Sequence, residues 1–351
     1  MLKVGVIGLG SISEHHINPY LNNDEVELVA LCDINEQRLK DKGQQYNVQK
    51  LYSDHRELLK DDAIDAVSIC TWNNSHAEIA EACLKAGKHV LVEKPLSITL
   101  EEAAKVKKAA EESNKVAQVG FVRRFGNNTK LLKEFIDSGE LGKLYYAKAS
   151  ILRRLGNPGG WFSDKERSGG GPLIDLGVHV IDLCWYLMGK PKPVSVSGNT
   201  YSKLGNRNNI KNLDFYKAAD YDPIKNDVED LANVLIRFDN GASLFVDVSF
   251  TLHMKKDETS IKLYGDQGGA EIEPELLLVK EMNNRITNID FQIDNKAFDF
   301  RQAFHSEVNH FVDCCLGRSE VLAPISDGYE IMKILNAVYE SAESKREIYF
   351  T

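Results

Sequence analysis

At 351 residues the chain is long enough for two domains, and 43% hydrophobic with 27% charged residues is the balance of an ordinary globular protein. A formal charge of −9 argues against a nucleic-acid partner, which needs a basic face, and no apolar run approaches the ~20 residues of a membrane-crossing helix.

In chain order, the first third alternates between two patterns. Apolar runs at 2–7, 26–32, 66–70, 89–92 and 116–119 predict strands, and stretches such as SHAEIAEACLKAGK and TLEEAAKVKKAAEESNK between them predict helices. These helices end on a basic residue beside Gly or Asn, as helix C-termini favour. Repeated strand–helix–strand units imply an α/β, doubly wound parallel sheet. The opening MLKVGVIGLG lacks the h-region and cleavage site of a signal peptide, and the six cysteines form no C-x-x-C pair. Buried thiols in a reducing, cytoplasmic setting are therefore expected.

The strand ends of this half carry polar signals. VIGLGSIS follows the first strand and opens a helix as G-x-G-x-x-S. Gly8 permits a tight turn, Gly10 lets backbone approach a pyrophosphate at the helix N-terminus, and Ser11 and Ile12 complete the cradle. Ser13 stands where a third glycine is usual. Asp33, at the end of the second strand, is the acid expected on an adenosine ribose diol, where a 2′-phosphate would meet like charge. Ile34 offers a phosphate nothing, and Arg38 is expected to face solvent, so NAD is favoured over NADP. CTWNNSHAEIA sets Thr71, Asn73 and His76 at the next strand-to-helix turn, with Asn74 or Ser75 as an N-cap. VLVEKPLS places Glu93 and Lys94 at the same crevice; the plainer reading is a solvated strand-end pair.

After Gly120 the pattern changes. TKLLKEFIDSG predicts a helix and 143–151 a strand. GGGPLIDLGVHVIDL then predicts a helix with Asp175 and His179 at i and i+4. Such a pair reads as a surface pair, as metal ligands, or as a base with its orienting carboxylate. A metal would need further ligands; Asp182 and His305 are available, but no H-E-x-x-H or cysteine spacing accompanies them, and no metal is expected. From Pro193 onward, long alternating stretches with a hairpin signal at Asn240 and Gly241 predict a large, mostly antiparallel sheet in an α+β domain. The polar, irregular stretch 206–225 is expected to be a loop over or near a site. SDGYEIMKILNAVYESAESK predicts an amphipathic helix over 326–345, capped by Ser326 or Asp327. The expected division is a dinucleotide-binding domain over 1–121 and an α+β domain over 122–351, whose last helix can pack back on the first.

The glycine turn, TWNNSH, EKP, GFVRRF, GGGPLIDLGVH and VEDLANVLIRFDNGA occur in order across nearly the whole chain. Together they resemble the Gfo/Idh/MocA family of nicotinamide-dependent sugar and cyclitol oxidoreductases. The resemblance implies a Rossmann domain followed by an open-faced sheet domain used for homodimer or homotetramer contacts. It implies an NAD-dependent dehydrogenase acting on a secondary hydroxyl of a sugar or cyclitol. The family's catalytic lysine is matched by Lys94 and its D-x-x-x-H pair by Asp175 and His179. His179 would then be the general base and acid, held in its tautomer by Asp175. Lys94 would hydrogen-bond the reacting oxygen or take the proton itself. Trp72, where the family usually has proline, and Ser13 are departures at the cofactor loops. The glycines 169–171 would let backbone pass close to substrate or cofactor. Arg123 or Arg124 would hold cofactor or substrate, or bridge the domains; Trp161 with Phe162 would wall a sugar ring; Asn157 would contact a hydroxyl. Glu229 and Asp230 are expected to organise the sheet or subunit contacts. The rival readings are an NAD-dependent glycoside hydrolase using transient oxidation, and a non-catalytic dinucleotide or sugar sensor.

Overall fold

The computed structural model describes residues 1–218, 221–222, 224–293 and 295–350. Contacts divide the chain into two compact units, Met1–Val122 with Arg301–Met332, and Arg123–Phe300 with Lys333–Thr351.

The first unit opens with β1 (Leu2–Ile7), α1 (Ser13–Leu21), β2 (Val26–Cys32), α2 (Glu36–Tyr46), β3 (Lys50–Tyr52) and α3 (His55–Leu58). It continues with β4 (Ala66–Ile69), α4 (Asn73–Lys85), β5 (His89–Glu93), α5 (Leu100–Ser113) and β6 (Ala117–Gly120). The strands form one parallel six-stranded sheet in the order β3-β2-β1-β4-β5-β6. Every residue of β4 and β6 is buried, as a sheet covered on both faces requires. The order reverses between β1 and β4, so the crevice beyond their carboxyl ends is where such a sheet takes its ligand. α4 starts at Asn73 with Trp72 at the N-cap position, not Asn74 or Ser75; the Ser75 hydroxyl donates to Trp72 O at 2.9 Å instead.

The second unit holds α6 (Asn127–Asp137), β7 (Leu144–Leu152), α7 (Lys165–Ser168), α8 (Val178–Leu187), β8 (Pro193–Tyr201), β9 (Leu231–Phe238) and β10 (Ser243–Ser249). Next come β11 (Glu258–Gly265), β12 (Gly268–Glu273), β13 (Leu277–Met282) and β14 (Arg285–Asp290). The nine-stranded sheet runs β14-β13-β12-β11-β7-β10-β9-β8-β15, with β15 at Ile348–Tyr349. Its pairs are antiparallel except β7 with β10. Alternation sorts the two faces: Leu244, Val246, Ile261 and Leu263 are buried on the face that α8 packs against, with Val234 and Ile236 of β9 buried on the same face, while Leu235, Phe245 and Lys262 point to the opposite face and keep part of their surface.

The expected boundary at 121/122 lies one residue from the observed one, but the segment expected as 122–351 is not continuous. α9 (Phe300–Cys315) lays Val308, Phe311 and Val312 into the core formed by Val4, Val6 and Leu91 with Ile17 and Tyr20 of α1. No helix is predicted over 300–315 from the sequence, and amphipathic periodicity does not say which sheet an apolar stripe covers. α10 (Ile325–Ser344) begins just ahead of the expected caps, Ser326 and Asp327. Within 206–225, Ala219, Asp220 and Pro223 lie outside the described residues, and the described remainder contains no helix or strand. No described helix is long and apolar enough to cross a membrane.

Candidate active site

In the first unit, Gly8 has φ +87° and a Cβ there would stand 2.6 Å from the Cys70 carbonyl oxygen, so only glycine fits. A Cβ on Gly10 would meet nothing within 4 Å: the backbone here borders open space. Ile12, at the N-cap of α1, gives no side-chain cap to the first N–H groups of that helix. Ser13 replaces the third glycine by donating its hydroxyl to Gly10 O at 2.7 Å, which closes the turn. Ser11 is exposed on it. Asp33, 6% exposed, accepts from Leu9 N–H at 2.7 Å through Oδ2 and from Asn35 N–H at 2.7 Å through Oδ1. Arg38 does not face away as expected: its guanidinium lies 3.6 Å from Asp33 Oδ2.

The EKP turn differs from a solvated strand-end pair. Glu93 is 5% exposed and its Oε1 is 2.9 Å from His16 Nε2. His16 Nδ1 lies 3.2 Å from Ser68 Oγ, which lies 2.8 Å from the Tyr20 hydroxyl. Burial pushes the Glu93 carboxyl up, but the hydrogen bond and charge of His16 outweigh it and hold the group below its usual value. Glu93 Oε2 in turn accepts from Lys94 N–H at 3.2 Å. Within 90–97, Lys94 alone keeps part of its surface. His76 is buried with Nδ1 2.7 Å from Pro95 O and Nε2 3.1 Å from Thr71 O, so it braces two turns of the crevice. Asn73 is buried at the start of α4.

In the second unit, Asp175 sits in a π-helical turn, Leu173–Gly177, that leads directly into α8 and His179. The spacing alone predicts a plain α-helix; the π-turn adds a residue, as occurs often at functional sites. Across 170–185, only Asp175 and His179 keep part of their surface. Two of the preceding glycines make room for packing within the protein. Gly169, at φ +81°, ends α7. A Cβ on Gly170 would lie 2.0 Å from the Tyr339 hydroxyl, and one on Gly171 2.3 Å from Glu229 O.

Arg123, Arg124 and Asn157 are bonded within the protein. Arg123 pairs with Glu273 at 2.7 Å and lies over the Phe298 ring at 4.6 Å. Arg124, with a fully buried side chain, makes two hydrogen bonds to Asp182, at 3.1 and 2.6 Å. Asn157 is 1% exposed; its Oδ1 accepts from Gly159 N–H and Ser163 Oγ, and its Nδ2 donates to Asn226. Trp161 and Phe162 stack at 3.9 Å and stay partly exposed. Among the described residues no group of three or more His, Cys, Asp or Glu is placed to hold a metal.

A family model described as "Oxidoreductase family, NAD-binding Rossmann fold" matches residues 2–121, and the GFO/IDH/MocA C-terminal domain matches 129–271. D-glucoside 3-dehydrogenase of Escherichia coli K12 is 32% identical over 348 residues, 98% of this chain and 96% of that one. The chain belongs to the Gfo/Idh/MocA family. Another similar protein is myo-inositol 2-dehydrogenase of Thermotoga maritima, 28% identical over 352 residues, 99% of this chain and 98% of that one. The solved structure "Levoglucosan dehydrogenase, complex with NADH and levoglucosan" shares the fold at TM-score 0.85 and 24% identity, covering 99% of each chain. As a Gfo/Idh/MocA oxidoreductase the protein binds NAD in its first unit. The residues fit that group: open space at Gly10, a helix start without a side-chain cap, and the Asp33 carboxylate at the strand end.

Sequence reasoning missed His16, whose only signal is the pair His15-His16 on α1, and Tyr339, which carries none. It gave Glu229 no part in the site.

Proposed function

We propose that this protein is an NAD-dependent dehydrogenase acting on a secondary hydroxyl of a sugar, cyclitol or sugar derivative. When bound, NAD supplies the acceptor or donor of hydride. His179 takes the hydroxyl proton, Asp175 orients the imidazole, and Lys94 hydrogen-bonds the reacting oxygen as charge develops on it. The reading is carried by one observation. In two otherwise buried stretches, 90–97 and 170–185, the residues that keep part of their surface are a lysine, an aspartate and a histidine. The activities for which the relatives are named, on a glucoside and on myo-inositol, support the substrate class. Trp161 and Phe162 supply an apolar wall for a sugar ring. The test is a panel of glucosides, free sugars and inositols with NAD and NADP separately, followed by nicotinamide absorbance, with Lys94→Ala as control. Turnover with NAD that is lost in the variant is expected; a wild type that binds neither nucleotide sinks the reading.

The same reading includes a homo-oligomer and a cytoplasmic setting. The face of the nine-stranded sheet opposite α8 carries Phe245, Leu235 and Tyr146 among charges of both signs, Lys148 and Lys262 against Asp247 and Glu258. A second copy related by a two-fold axis would bring those opposite charges together and cover the apolar groups. All six cysteines are free, as a reducing compartment keeps them.

A further inference from the structure

Glu229 lies just ahead of β9, far in the chain from Asp175 and His179. Its side chain nevertheless ends at the turn that carries Asp175. At 7% exposure, its carboxylate accepts from Gly171 N–H at 2.9 Å, from Leu173 N–H at 3.2 Å and from the Tyr339 hydroxyl at 2.9 Å. All three are neutral donors. The two N–H groups belong to the start of the helical segment, where they have no intrahelical acceptor and where negative charge is favoured. Gly171 passes the anchor on: its carbonyl accepts from Asp175 N–H at 3.0 Å. Burial, then the adjacent Glu229 charge, pushes the Tyr339 hydroxyl well above its ordinary value and keeps it a donor. Gly170 and Gly171 leave the space these partners fill, since a Cβ at either would meet Tyr339 or Glu229 at 2.0 and 2.3 Å.

A π-turn holds one residue more than the α-turn it replaces. Relaxing it to α-helix turns the residues ahead of it by one step, about 100° around the axis. Asp175 would leave its place while His179, on α8, kept its own. We propose that Glu229, supported by Tyr339, is a positioning residue that holds this π-turn and so sets Asp175 against His179. The inference rests on Asp175 and His179 being the reacting pair.

The test compares wild type with Glu229→Gln, Tyr339→Phe and His179→Ala. Glutamine keeps the size of Glu229, but its amide turns a donor toward a backbone N–H. The readout is the rate constant of NADH formation in the first turnover, with NAD and methyl glucoside or myo-inositol both saturating over the enzyme. That rate constant does not scale with the fraction of active molecules, so a merely structural defect leaves it unchanged. It is expected to fall about tenfold to hundredfold in E229Q and about threefold in Y339F, with NADH affinity kept within about twofold. An E229Q rate within about twofold of wild type overturns the inference. If E229Q does not fold, a Y339F rate equal to wild type overturns it. A fully active H179A sinks the catalytic assignment itself; an inactive H179A beside an unimpaired E229Q sinks this inference alone. If neither probe is turned over, amide hydrogen exchange across the segment holding Asp175 and His179 decides: faster exchange in E229Q supports the anchor, and unchanged exchange overturns it.

Discussion

Asp33 does two jobs with one carboxylate. It gathers the Leu9 and Asn35 N–H groups, both at 2.7 Å, and in the proposed reading it also accepts from the adenosine ribose diol. Arg38, 3.6 Å away, offsets its charge. Replacing Asp33 with serine removes the ribose acceptor and frees the guanidinium for a 2′-phosphate. A charge-assisted hydrogen bond contributes about 1.5–3 kcal/mol, so NADH affinity should drop about tenfold to hundredfold while the preference against NADPH shrinks. Fluorescence titration with both nucleotides checks this, and unchanged NADH affinity refutes it. The residue scale also shows where sequence reading stops. Glycine turns, Asp33 and the EKP lysine are legible because their neighbours in the chain define the turn. Glu93 is not, because its partner His16 is 77 positions away. His76 reads as a cofactor contact, yet both its nitrogens face backbone carbonyls.

Elements are legible where their period is clean. The predicted strands at 2–7 and 26–32 coincide with β1 and β2, and the hairpin signal at Asn240 and Gly241 joins β9 to β10 with Ser243 opposite Arg237. β3, three residues at the sheet edge, escapes because it is too short to show alternation. The π-turn escapes because an almost unbroken apolar run carries no phase to mark an added residue. α8 is tied into the second unit by a pair whose geometry has no local signature: Asp182 with Arg124, both at 1% exposure, and the Arg124 guanidinium 4.8 Å from the Tyr186 ring. Asp182 looks like a spare metal ligand in the sequence, and here it is half of an ion pair. Breaking a buried pair leaves the other charge without compensation. Asp182→Asn or Arg124→Met is therefore expected to cost about 3–5 kcal/mol, whereas the double variant Arg124→Met/Asp182→Leu should cost less than either single change. Urea midpoints give the comparison, and simple additivity of the two single losses would contradict it.

At the scale of the molecule, charge and burial set two behaviours. Burial holds His15, His55, His76 and His89, all in the first unit, below the ordinary imidazole value of 6.5. Below that pH the unfolded chain binds protons that the folded chain refuses, so stability falls as pH drops through 6.5 and downward. The urea midpoint of the first transition should be lower at about pH 5.5 than at about pH 7.5, and His76→Gln should reduce that difference. The second behaviour concerns the uncovered sheet face. Phe245 stands opposite Leu235 on one side and Lys148 on the other, and Tyr146 stacks on Tyr264 at 5.4 Å. A specific interface needs about 800 Å² from each partner, which a broad sheet face can supply. Phe245→Asp with Leu235→Asp places two further carboxylates among Asp247 and Glu258, so a two-fold partner would meet like charge instead of an apolar patch. Light scattering on the wild type should give a dimer or larger species at micromolar concentration and a smaller species for the double variant. NADH affinity should be unchanged, because both substitutions lie on the sheet of the second unit. A wild type that elutes as a monomer across that range removes the sheet face from the proposal and leaves the cofactor and helix residues untouched.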